Sequence, residues 1–145
     1  MFARAVLAVA VVLLLAATLP AQDTNQDLEM LQGKWTMESQ ESRGRQTLDQ
    51  AVKQSKLTIQ GDQWIVTFPG GLKNQMTFKI DPSKDPKTMD LLTKDGGKES
   101  VSLGIYKLEG DTLTLCRTVG NRYRPKEFKT TAEAGILVVW KRAKK

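Results

Sequence analysis

Hydrophobicity that repeats every second residue, interrupted by turn residues about every ten positions, constrains this chain more than any other feature. Leu57 and Ile59 alternate with polar residues, Gly61-Asp62 turns the chain, and Trp64, Val66 and Phe68 alternate again up to Pro69-Gly70-Gly71. Met76, Phe78 and Ile80 make the next run, closed by Asp81-Pro82 and a second proline at Pro86, and Met89 and Leu91 follow before Asp95-Gly96-Gly97. Val101, Leu103 and Ile105 form a sixth strand. Glu109-Gly110-Asp111 turns into Leu113 and Leu115, and residues 123–130 and 136–141 supply two further segments. Upstream, residues 34–40 carry Trp35 and Met37 on one face. A step of two places these side chains on one side of a sheet. Inside the sixth strand Gly104 removes a side chain, and the apolar parity passes to Tyr106 and Leu108 beyond it, which predicts a β-bulge.

The remaining periodicity is helical. Leu48, Ala51, Val52 and Ser55 fall at i, i+3, i+4 and i+7, with Thr47 as N-cap, so residues 48–55 read as one short helix after the first strand. Residues 27–31 read as a helical turn. The expected fold is all-β: a single antiparallel barrel of about eight to nine strands, which closes on itself and leaves no long sheet edge. A two-sheet sandwich is the alternative.

The N-terminus belongs to a different regime. Residues 6–17 are an unbroken apolar run of twelve behind Arg4. A membrane-spanning helix takes about 20 such residues, so residues 1–21 read as a cleaved signal peptide and residues 22–145 as the barrel domain, with a retained anchor as the alternative. Export places the chain in a periplasmic or extracellular compartment, with no stable membrane span after cleavage. No Cys follows the apolar run, which disfavours a lipid anchor. Cys116 is the only cysteine and cannot form an internal bridge, so stability has to come from the core; its place in a strand pattern suits a buried, inert thiol.

Charge argues against nucleic acid as a partner. Of the net +6, Lys141, Arg142, Lys144 and Lys145 supply four, a terminal tail and not a basic stripe with stacking aromatics. Catalysis is disfavoured by residue type: with no histidine, His-based triads, the usual zinc sites and the commonest general base are absent. Asp81, Asp85, Asp90, Asp95 and Asp111 stand at turns or strand ends, where Asp bonds its own backbone, and their spacing is not that of a calcium loop. No catalytic residue, metal ligand or cofactor is expected.

Several stretches resemble one family. Gly33-Lys34-Trp35 looks like the Gly-x-Trp signature at the first strand of lipocalins. Leu31-Gln32-Gly33-Lys34-Trp35, the run of residues 81–87 from Asp81 to Lys87, the run of residues 104–116 from Gly104 to Cys116, and Arg124-Pro125-Lys126-Glu127-Phe128, in this order, resemble a family of small exported lipocalin-like proteins of unknown function, abundant in planctomycete-type bacteria. The resemblance implies a lipocalin-like barrel and no established activity. The mid-chain Thr-Asp-Tyr motif of true lipocalins has no counterpart. Their Arg after the last strand, packed across the first-strand Trp, has Arg142 as its candidate, which would make Trp35 and Arg142 a plug at one barrel end; an ordinary core Trp35 with Arg142 in solvent is the alternative.

A barrel of about eight strands has room for its own side chains or for one small ligand. The candidate pocket comprises Trp35, Met37, Trp64, Phe68, Met76, Phe78, Met89, Ile105 and Glu127, with the 48–55 helix as a lid or an internal plug. Glu127 would face either the mouth or outside, with Arg117 or Arg122 as partner if buried. Two function classes follow: a monomeric carrier of a small hydrophobic molecule, or a solid-barrelled interaction module at the cell envelope, neither of them an enzyme.

Overall fold

Antiparallel pairing runs from the first strand through each neighbour to the last strand and back to the first. In the computed structural model of the protein, residues 20–47, 49–119, 123–132 and 135–144 are described. The expected signal segment before residue 20, Leu48 and Arg122 lie outside these. The helix α1 (Pro20–Leu31) leads into β1 (Gly33–Ser42), followed by β2 (Arg45–Gln46), α2 (Gln50–Gln54), β3 (Lys56–Gln60), β4 (Gln63–Thr67), β5 (Lys73–Asp81), β6 (Thr88–Asp95), β7 (Lys98–Glu109), β8 (Thr112–Arg117) and β9 (Ile136–Arg142). Each strand from β3 to β9 pairs with its sequence neighbour, β1 pairs with β3, and β1 pairs again with β9 from Trp35↔Arg142 to Ser42↔Ile136. Eight strands thus close an up-and-down barrel, and β2 is an extra two-residue ribbon on the end of β1.

The closure has a local device. The β1–β9 register shifts between Met37 and Ser39. One extra residue on β1 lets Met37 and Gln40 both reach the interior, where a strict alternation would place them on opposite faces. β1 also leaves β3 after Thr36, and α2 fills the gap: Val52 is buried in the core, and Met37 N donates to Ser55 O at 3.0 Å. The N-cap of α2 is Asp49, whose carboxylate accepts from Ala51 N at 3.0 Å, and not Thr47, whose own N–H is spent on Gln40 O at 2.8 Å. Nor is the N-terminal helix a single turn; it runs over twelve residues.

Two expectations on the C-terminal side are corrected. The strand β7 pairs continuously with β6 and with β8, and no bulge occurs at Gly104. Opposite Leu115 stands Tyr106, and opposite Cys116 stands Ile105, so Tyr106 and Leu108 face the interior while Leu103 and Ile105 face outward. Outward apolar residues are tolerated here because residues 123–132 form no strand and cross the outside of the barrel as a strap. Arg124 Nη1 donates to Asp90 Oδ1 at 2.6 Å and to Gly104 O at 2.7 Å, Lys107 Nζ lies 4.9 Å from the Phe128 ring centre, and Gly44 N donates to Thr130 Oγ1 at 2.9 Å. Beneath the strap Ile105 and Cys116 are buried on a second, external layer, and burial pushes the Cys116 thiol above its ordinary range. A β-strand covered on both sides loses its clean alternation, which is why the parity of β7 misleads. Gly104 instead serves close approach: a Cβ there would lie 2.9 Å from Met89 O and 3.0 Å from Cys116 O.

Candidate functional site

The barrel has two unlike ends. At one, the β3–β4, β5–β6 and β7–β8 connections meet the start of β1 and the end of β9, and α1 lies across them. Trp35 is fully buried and donates its indole Nε1–H to Leu31 O at 2.9 Å. Arg142 lies over the Trp35 ring with its guanidinium carbon 4.2 Å from the centroid, donates from Nη2 to Met30 O at 2.6 Å and from Nη1 to Gln32 O at 3.1 Å, and reaches Asp111 at 3.3 Å. Gln32 in turn exchanges side-chain bonds with the backbone of Gly61. The last helical carbonyls of α1, which have no partner within the helix, are thereby capped by a cation held against an aromatic face.

A second tie fastens α1 from the other side. Asp27, only 7% exposed, accepts at Oδ2 from Tyr106 Oη at 2.6 Å and from Lys87 Nζ at 2.9 Å. The carboxylate is buried, and its two donors supply the partners that such a group needs away from water. Burial, with the Asp27 bond next in weight, holds the Tyr106 phenol far above its ordinary value. Below this end the interior is filled by Trp35, Leu57, Ile59, Phe78, Met89 and Leu113.

The other end is hollow. Met37, Trp64, Val66, Phe68, Met76, Leu115, Val138 and Trp140 surround a cavity of about 170 Å³, with Gln40, Asn74, Arg117 and Ile136 also on its wall. The ring of Trp64 stands edge-to-face against Phe78 at 6.1 Å and against Trp140 at 6.4 Å, so an aromatic floor separates the cavity from the packed half. Parity builds this wall from the sequence: Asn74, Met76 and Phe78 alternate along β5, and Leu113, Leu115 and Arg117 along β8.

Of the candidate pocket residues, Met37, Trp64, Phe68 and Met76 come together on the cavity. Trp35, Phe78 and Met89 are core of the packed half. Ile105 is on the outer layer, as its pairing with Cys116 dictates. Glu127 is exposed in the strap, where it lines a shallow external groove of about 350 Å³ with Thr118, Tyr123 and Lys126, so it neither enters the barrel nor needs a buried partner. The helix α2 lines no part of the cavity and packs its Val52 into the core, the internal-plug alternative. A further external groove, about 590 Å³, mixes Lys79, Lys84 and Lys126 with Asp81, Asp85 and Asp90, and Asp90 is already bonded to Arg124. Among the described residues no cluster of His, Cys, Asp or Glu could hold a metal ion, and no helix is long and apolar enough to cross a membrane.

Gln40, Asn74 and Arg117 are the wall residues that pattern reading passes over. The signal for Arg117 is its parity with Leu113 and Leu115; the prior that charged side chains face solvent hides it. Fold and site together define a closed eight-stranded antiparallel barrel, plugged at one end and hollow at the other. The chain matches no protein-family model, no curated protein and no solved structure.

Proposed function

We propose that this protein is an exported, monomeric, lipocalin-like carrier that holds a small apolar molecule in the hollow half of its barrel and performs no chemistry on it. The observation that carries this reading is the cavity bounded by Met37, Trp64, Val66, Phe68 and Met76. An apolar cavity of about 150 Å³ is large enough to take up benzene, and the two methionines give this one an adaptable wall. The apolar run of residues 6–17 supports export, and the order of the Gly33-Lys34-Trp35 and Arg124–Phe128 stretches supports kinship with the small exported lipocalin-like proteins.

The competing reading, a solid interaction module, would rest on Leu72 and Val119, exposed apolar side chains on the loops of the open end, and on the exposed Tyr123 at the start of the strap. These also suit the mouth of a carrier, where an apolar ligand enters. The two readings separate in a titration of methyl-labelled protein with octanol. A carrier shifts the Met37 and Met76 methyl resonances saturably and leaves the exposed Met30 in place. Shifts confined to residues near Leu72 and Val119, with Met37 and Met76 unmoved, would exclude an internal site.

A further inference from the structure

The apolar wall accounts for one part of the cavity and leaves its polar part unexplained. Arg117 stands on the same face of β8 as Leu113 and Leu115, on the cavity wall, and its one hydrogen bond to another described residue runs from Nη1 to Ser102 Oγ at 3.0 Å. None of the ion pairs among the described residues includes it. Burial pushes its guanidinium below the ordinary value, the direction expected of a cation taken from water without a counter-ion. The remaining polar wall groups, Gln40 and Asn74, are neutral amides. The cavity wall therefore offers a fork of guanidinium donors, and no carboxylate among the described residues pairs with it. Arg117 is half-buried on this wall, and a cation drawn partly out of water without a partner carries a desolvation cost that an anionic ligand would offset.

We infer that the ligand brings the missing charge: a compact carboxylate whose acid group pairs with Arg117 and whose hydrocarbon part lies against Met37, Phe68 and Met76. This rests on the carrier reading and adds the head-group chemistry to it. A planar guanidinium suits a two-oxygen anion because two parallel N–H···O bonds form at once. The volume of about 170 Å³ sets the size, since a cavity near 150 Å³ holds benzene, so the ligand core has roughly six to ten non-hydrogen atoms and is no long-chain lipid.

The test compares three eight-carbon probes that differ only in the head group: octanoate, octanol and octylamine. Binding is followed by the Met37 and Met76 methyl resonances of the purified protein at neutral pH, below the aggregation limit of each probe. Octanoate should bind about tenfold or more tighter than octanol, with octylamine weakest, because a hydrogen bond to a charged group is worth about that factor. In Arg117→Gln and Arg117→Met the ratio of octanoate to octanol affinity should fall to about one. If octanol equals or exceeds octanoate in the unaltered protein, the anionic head group is wrong and the apolar carrier reading survives. If the preference for octanoate persists in both variants, Arg117 is not the partner. If none of the three probes moves the two methyls, the carrier reading falls and this inference with it. Should the variants fail to fold, the head-group comparison in the unaltered protein still decides.

Discussion

The plugged and hollow halves of the barrel are built from the same strands, yet they obey different rules. Near α1, large side chains meet in a packed interior, Asp27, Tyr106 and the Trp35 indole are hydrogen-bonded, and a cation is spent on helix carbonyls and an indole face. At the opposite end the strands carry Gln40, Asn74 and Arg117 inward, and space remains. Stability is concentrated where polar needs are met; binding capacity lies where they are not. The contrast teaches that a barrel can keep an incomplete half only if the other half is overdetermined.

Substitutions that treat the halves alike should give unequal results. Trp35→Ala removes the fully buried ring at the plugged end and should cost about 3–5 kcal/mol of unfolding free energy in a denaturant titration. By contrast, Phe68→Ala at the half-buried mouth should cost less than about 2 kcal/mol, since less apolar area leaves water there. Equal losses would remove the contrast. Next in size, Arg142→Gln deletes the guanidinium over Trp35 and its bonds to Met30 O and Gln32 O, and should cost about 1–3 kcal/mol. Its amide exchange should quicken first in α1, and exchange quickening first around the cavity would place the weak point at the wrong end.

The Asp27–Tyr106 tie adds a pH signature to the plugged end. The folded chain holds the Tyr106 phenol above its ordinary value of 10.0, so below that pH both states keep the proton and the contribution is fully present. Above it the unfolded chain loses the proton while the folded chain retains it, and stability falls as pH rises. The slope should reach up to about 1.4 kcal/mol per pH unit between pH 10 and 11, and Tyr106→Phe should flatten it by that amount. An unchanged slope would mean that Tyr106 ionises freely in the folded protein. The smallest effect belongs to the hollow half: Val66→Ile adds one methylene to the cavity wall and should alter stability by less than about 1 kcal/mol while weakening octanol binding.

Much of this architecture is legible from alternation. The runs that became β1, β3, β4, β5, β6 and β8 could be placed because large apolar residues recur at every second position, and β9 as an apolar run, and Trp35, Met37, Trp64, Met76 and Phe78 then face inward by count. Legibility ends where both faces are covered. Beneath the strap, Ile105 and Tyr106 are equally apolar and equally buried, so parity alone cannot say which faces the interior. The strap itself, with Phe128 among polar residues, has a strand's composition, but its backbone serves as an anchor for Arg124, Phe128 and Thr130 and not as a ladder rung. Two residues of β2 are too few to carry a period. Arg117 was hidden by its own charge, which outweighs its position in any pattern that sorts residues by polarity.

One measurement addresses the unequal interior most directly. In crystals pressurised with xenon, which enters empty apolar space, the gas should appear among Trp64, Met76, Val138 and Trp140, and nowhere between Trp35 and Leu57. Xenon beneath the α1 plug, or none within a barrel closed by β1 and β9, would contradict the account.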